Sequence, residues 1–394
     1  MPLVAVNDLL WFLLPVAAAS GWWAARRSAN KVRERTARTT PAYFRGLNYL
    51  LNEEPDKAID VFVQLLEVDS ETVETHLALG SLFRRRGEVE RAIRIHQNLI
   101  ARPALDEEQR ANALLELGMD YMRAGLYDRA ENLFLELKEM GWHQRRALEN
   151  LIVIYQQERD WKACLEVSEE LQPLVGESLG LARAHYLCEL AEESLREGDR
   201  KEAARLLKQA VRTHPDCVRA PHLQARMAME RGDHRRAVEL LHRVVDQQPD
   251  YLPEVLDDLH RCHQALDDLA GHRAYLEDML GEKLDVDVVL ALTDLILETE
   301  GHHQAVAFIT DCMERQPSLR GLLRLIDLNA SLPDVRAGQI LVGLRDHMAR
   351  LLAERPAYQC SRCGYAASTL HWQCPSCRSW STLRRITETE EPSR

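Results

Sequence analysis

GSLFRRRGEVERA at 80–92 and GMDYMRAGLYDRA at 118–130 decide how this chain folds. Each opens on a glycine, sets a ring three positions later (Phe83, Tyr121), passes a second glycine and reaches an alanine twelve positions after the first. Gly46, Tyr49 and Ala58 draw the same pattern 34 residues before Gly80. After a four-residue slip around 105–109 the pattern resumes at Gly118, and Ile152, Tyr155 and Cys164 hold it 34 residues further on. Ala191, Ala203, Ala210 and Pro215 continue it, and Ala225, Ala237, Leu241 and Pro249 follow after another 34. Beyond Leu259 it weakens, although Ala305, Ile309, Cys312 and Pro317 keep the phase.

A period of this length has a physical cause. A helix–turn–helix unit cannot bury its apolar stripe alone, so neighbours stack into one continuous core, with a small residue where paired helices touch. Turns agree with this: Arg-Gly-Glu at 86–88, Ala-Gly-Leu at 124–126, Glu-Gly-Asp at 197–199 and Arg-Gly-Asp at 231–233 each lie between amphipathic stretches. Glycine there accepts the left-handed end of the first helix. Pro-Asp at 215–216 and 249–250 closes one unit before the next.

These residues resemble the tetratricopeptide repeat family over about 41–320. The resemblance implies an all-α solenoid with a concave face that accepts a segment of a partner, and no pocket deep enough for typical chemistry. Co-chaperones of that family clamp a C-terminal carboxylate with Lys and Asn; the matching positions here are Tyr43 and Leu47, which disfavours that use. Arg84, Arg85 and Arg123 are candidates to receive acidic groups on the concave side, or else belong to solvated faces.

At the N-terminus, 9–25 reads LLWFLLPVAAASGWWAA, uncharged, and Arg26, Arg27, Lys31, Arg33, Arg35 and Arg38 follow it. With 3–6 the run approaches the ~20 residues that cross a bilayer. Tryptophans at one end and basic residues behind them are expected of a single-pass membrane anchor, with the bulk of the chain on the cytoplasmic side. A cleaved signal peptide is the competing reading, and it lacks the positive charge such peptides carry before the apolar run. Net charge is −12, and the body between 41 and 355 holds 39 basic against 57 acidic side chains. A body that acidic repels phosphate backbones, so no nucleic-acid partner is expected.

Cys360 and Cys363, then Cys374 and Cys377, form two C-x₂-C pairs separated by ten residues. Two such turns aim four thiolates at one centre, which suits one Zn or Fe ion better than disulfides. The segment is too short for a core, so the metal must supply most of its folding energy, of order ~10–16 kcal/mol for structural zinc. Gly364 follows the second cysteine, but Arg378 follows the fourth, a departure from the usual glycine that puts the second turn in question. His371 is a conceivable substitute ligand in a shell already full. Trp372, Trp380 and Tyr365 are expected to cover the site or to dock it on the last helices. The loop resembles a rubredoxin-type or zinc-ribbon knuckle. Cys164, Cys188, Cys217, Cys262 and Cys312 are scattered singly along amphipathic stretches and read as small buried residues.

The chain is therefore divided into 1–25 transmembrane anchor, 26–40 basic juxtamembrane linker, 41–355 solenoid, 356–386 four-cysteine module and 387–394 tail. No phosphate loop or H-E-x-x-H occurs, so no enzyme is expected. That order of segments is similar to the lipopolysaccharide assembly protein B family of Gram-negative bacteria, over the whole chain. The resemblance implies an inner-membrane adaptor that promotes degradation of the lipid A-committing deacetylase by the FtsH-type membrane protease. It also implies restraint by a lipopolysaccharide-sensing inner-membrane protein. Two alternatives stay open: a general membrane-protein assembly scaffold with other clients, and a rubredoxin-like electron-transfer protein. Whether copies form a homo-oligomer is left open.

Overall fold

The computed structural model describes residues 44–49, 52, 54, 57, 58, 61 and 73–386, apart from 104, 281–283, 331–334 and 354, and no side chains of 335–341. The anchor and linker expected at 1–40 lie outside those residues. Among the described residues no helix is long and apolar enough to cross a membrane. The expected N-terminal transmembrane helix and single-pass inner-membrane placement are thereby corrected to unsupported. The described helices are unsuited to lipid for a simple reason: they are amphipathic pairs, and even the 19-residue Val335–Ala353 carries Arg345, Asp346 and Arg350.

The chain is an all-α tetratricopeptide-repeat solenoid with a small stranded module at its C-terminus. It divides into two compact units, Met1–Arg159 and Asp160–Arg394. Unit one contains α1 (Val73–Arg85), α2 (Val89–Ile100), α3 (Glu107–Ala124), α4 (Tyr127–Met140) and α5 (Gln144–Glu158). Unit two contains α6 (Trp161–Leu171), α7 (Gly180–Arg196), α8 (Arg200–Thr213), α9 (Arg219–Glu230) and α10 (His234–Gln247). It goes on through α11 (Leu252–Ala265), α12 (Leu269–Met279), α13 (Val286–Thr299), α14 (His302–Arg315), α15 (Leu319–Ala330) and α16 (Val335–Ala353).

The repeat residues do what their sizes predict. A Cβ on Gly118 would lie 2.7 Å from the Phe134 ring, so only glycine lets α3 and α4 approach as they do. In unit two alanines serve instead, and Ala191, Ala203, Ala225 and Ala237 have no exposed surface. The Gly-Asp turns act twice. Gly232 takes φ of 78°, which lets the Asp233 N–H donate back to the Ala228 carbonyl at 2.9 Å. The Asp233 carboxylate then accepts from Arg236 N–H at 3.2 Å and caps α10.

Among the described residues, two turns within helix pairs lack the glycine. Arg159 (φ 59°) and Asp267 (φ 54°) adopt the left-handed conformation themselves. Asp267 explains why the pattern fades past Leu259 although the helix pairs α11–α12 and α13–α14 continue. A core from Val218 to Leu295 runs through these helices, with Leu241, Val255, Leu259 and Leu292 fully buried. Burial of each such side chain contributes ~1.5–3 kcal/mol. Leu370 and Trp372, from beyond the helices, pack against that core.

Candidate metal centre and its seat

After α16 the backbone becomes extended. β1 (Tyr358–Cys360) lies between β2 (Ala366–Ala367) and β3 (Leu383–Arg385), both antiparallel to it. Each cysteine pair closes a tight knuckle. Gly364 N–H donates to the Cys360 carbonyl at 2.9 Å and Cys360 N–H to the Tyr365 carbonyl at 2.8 Å. The second knuckle repeats this: Arg378 N–H donates to the Cys374 carbonyl at 2.8 Å, and Cys374 N–H to the Ser379 carbonyl at 2.9 Å. Gly364 (φ 75°) and Arg378 (φ 57°) are both left-handed, so the missing glycine does not alter the second turn.

The four sulfurs of Cys360, Cys363, Cys374 and Cys377 all lie within 4.8 Å of one another. Cys360–Cys377 and Cys363–Cys374 are each 3.7 Å apart. A tetrahedron of ~2.3 Å metal–sulfur bonds has edges of about 3.8 Å, so the cage fits one Zn or Fe ion. Burial opposes ionisation of Cys360, yet the Thr382 hydroxyl and the N–H groups of Arg362 and Cys363 bring it down to about 6. Ser379 lowers the Cys377 thiol through its side chain and backbone, whereas burial pushes Cys374 up to about 12. Four adjacent thiols resist joint ionisation unless a cation sits among them. His371 is exposed and lies outside the cage; its Nε2 is 3.5 Å from Thr369 Oγ1.

The module is seated on the repeats, and not where the sequence suggested. Trp372 and Trp380 dock on mid-array repeats, while Tyr365 is 37% exposed. Trp380 stacks on His185 of α7, centroids 4.7 Å apart, and meets Trp161 and Tyr186 edge-on. His185 Nε2 and Ser381 Oγ are 2.7 Å apart. Burial, then the charge of Arg219, pushes His185 well below its ordinary value, so it presents a neutral ring. Trp372 stacks on Tyr251 at 5.4 Å, and the Arg219 guanidinium of α9 lies 5.7 Å from its ring centre. Arg219 is 3% exposed and donates to Glu189 and Glu192 at 2.7 and 2.8 Å.

Polar clamps hold the rim. Tyr358 donates its hydroxyl proton to Glu254 of α11. Arg385 reaches Asp287 of α13 at 2.9 Å, and Arg384 reaches Gln248 at 3.4 Å. His185, Arg219 and Asp287 fall at multiples of 34 residues, with Glu254 one step past its place. That spacing puts them at one position of four successive first helices. It is the signal that could have found the seat; read as single polar residues on helix faces, they carried none.

The candidate concave arginines fare differently. Arg84 donates to Glu116 at 2.6 Å and to Asp120 at 2.7 Å, and Asp120 lies 2.5 Å from His96 Nδ1. Asp120 and His96 have no exposed surface, so this cluster braces unit one internally. Arg84 is therefore neither a solvated residue nor one awaiting an acidic partner. Arg85 and Arg123 are exposed. All five scattered cysteines are buried and free.

Comparison with known proteins follows the same division. A tetratricopeptide repeat family matches 75–111 and 194–257, and a rubredoxin metal binding domain matches 358–385. The chain is 40% identical to lipopolysaccharide assembly protein B of Escherichia coli (strain K12), covering 96% of this chain and 98% of that one. It is 35% identical to the protein of the same name from Haemophilus influenzae, over 97% and 99%. Among solved structures, the MamA protein is 19% identical, covers 45% of this chain and 92% of that one, and superposes with a TM-score of 0.35.

Proposed function

We propose that this chain, which belongs to the lipopolysaccharide assembly protein B family, is a non-enzymatic adaptor that regulates lipopolysaccharide assembly. Its repeats hold the lipid A-committing deacetylase and present it to the FtsH-type protease, and a lipopolysaccharide-sensing protein restrains that presentation. Near-full-length identity with relatives named for lipopolysaccharide assembly carries this reading. The architecture supports it. Stacked helices offer surface for proteins rather than a reaction pocket. Among the described residues the one group of His, Cys, Asp and Glu side chains that converges as metal ligands do is the cysteine cage. Cys360, Cys363, Cys374 and Cys377 are its ligands in this reading, and the ion they hold fixes the knuckles in shape.

The test is deacetylase turnover. In cells depleted of their own family member, expressing this chain should shorten the half-life of the deacetylase, and only while the protease is active. A folded, metal-loaded chain that leaves the half-life unchanged would sink the proposal.

A further inference from the structure

We propose that the seat on unit two is a docking groove held shut in cis, which in the absence of the folded module takes a basic segment bearing tryptophans. This rests on contacts within unit two alone and goes beyond the adaptor reading; either can fail without the other.

The contacts are those of a ligand on a receptor. Two indoles lie on rings of the repeats, Trp380 on His185 and Trp372 on Tyr251, and two arginines beyond them reach acidic or amide groups. Buried aromatic anchors with a polar rim are how interfaces concentrate their energy. The occupant, moreover, cannot hold itself together. Its buried cluster is Tyr358, Cys360, Ala367, Cys374 and Leu383, and two of these five are thiols that must gather round a cation. The repeats beneath have a core of their own from Val218 to Leu295 that owes the module only Leu370 and Trp372. Loss of the ion therefore unfolds the occupant and leaves the receptor.

Charge states what the emptied groove would accept. Arg219 stays neutralised by Glu189 and Glu192, both on α7. Glu254 loses Tyr358, Asp250 loses Arg384 at 3.9 Å, and Asp287 keeps Arg320 at 2.7 Å but loses Arg385. The open groove has a floor of aromatic rings and the neutralised Arg219 guanidinium and is acidic along its rim, complementary to aromatic residues followed by an arginine pair.

The experiment uses the full chain and a fluorescent peptide of residues 366–386 with Cys374→Ser and Cys377→Ser. Anisotropy should show binding to chelated, reduced chain at least about tenfold tighter than to metal-loaded chain, the scale of losing one aromatic anchor. The same peptide with Arg384→Glu and Arg385→Glu should not bind. Hydrogen exchange in α7, α9, α11 and α13 should rise on metal removal and fall again with peptide. A second route keeps the metal: the Trp372→Ala, Trp380→Ala double variant should retain one ion per chain and bind the peptide. If that folded, loaded variant binds no peptide, or if both peptides bind the chelated chain alike, the proposal is overturned.

Discussion

Arg84 in unit one and Arg219 in unit two sit on first helices, and each is held by two carboxylates. Their surroundings diverge from there. The partners of Arg84 belong to α3, and Asp120 passes the contact inward to His96 of α2, so three helices are tied by one closed cluster. The partners of Arg219 lie back on α7, and its outer face is covered by the Trp372 ring. A charged row in a repeat array can thus be a strut between helices or the floor of a seat. The residue type is the same in both. What separates them is whether the guanidinium face is left for an aromatic group arriving from far along the chain.

The strut should be the more costly to break. Asp120→Ala leaves Arg84 and His96 without their shared carboxylate, at a position where Asp120 and His96 have no exposed surface. Removing one member of a buried charge cluster costs about 3–5 kcal/mol. The seat rim is different: Arg385→Ala removes a largely covered contact to Asp287, but Asp287 keeps Arg320 and is not left unpaired, so the loss should be smaller, about 1–2 kcal/mol. Denaturant unfolding of the two variants measures the gap. Equal losses would erase the distinction between strut and seat.

Acid should separate the units in a second way. In unit two, burial first, and then the neighbouring rings of His263, His260 and His242, push His272 down to about 4, with Asp268 opposing. An unfolded histidine binds its proton near 6.5, so between those values the unfolded chain holds the extra proton. The stability from the neutral ring is complete above 6.5 and declines as pH falls toward about 4. In unit one, burial works against Glu116, but the Arg84 guanidinium and the Ser81 hydroxyl hold it below its usual 4.5. Its contribution persists until pH drops beneath that range. Hydrogen exchange, corrected for intrinsic rates, should therefore show α12 losing protection at mildly acidic pH while α3 keeps it. Loss in α3 first would contradict the assignment.

How much of this could be read from sequence depends on whether the signal is local. The repeat was legible because Gly118 and Ala130 mark a helix crossing that recurs at fixed distance, and the cage because two C-x₂-C turns dictate their own shape. Asp267 hid a turn, since the left-handed position had a residue other than glycine. The seat was hidden for another reason. Trp380 and His185 are 195 positions apart, and nothing near either one says that they stack. Arg84 looked available because the Asp120 that consumes it lies on the next repeat, at a place where Leu82 stands one repeat earlier.

The two knuckles offer a last comparison, and the smallest effect. They share their hydrogen bonds, and differ in that Gly364 holds its left-handed φ without strain while Arg378 carries a Cβ there. A non-glycine residue in that region costs ~1–2 kcal/mol. Arg378→Gly would relieve this, but it also frees the unfolded chain, an opposing change of ~0.4–1 kcal/mol. It further gives up whatever the arginine side chain contacts. The net gain should be less than about 1 kcal/mol, seen as slightly slower metal loss to a competing chelator. The converse, Gly364→Arg, should speed that loss by a similar factor, because it imposes the same strain on the first knuckle. Opposite signs in the two exchanges would show that the pair differ only in backbone strain. If both exchanges weaken retention, the Arg378 side chain contributes more than its backbone costs.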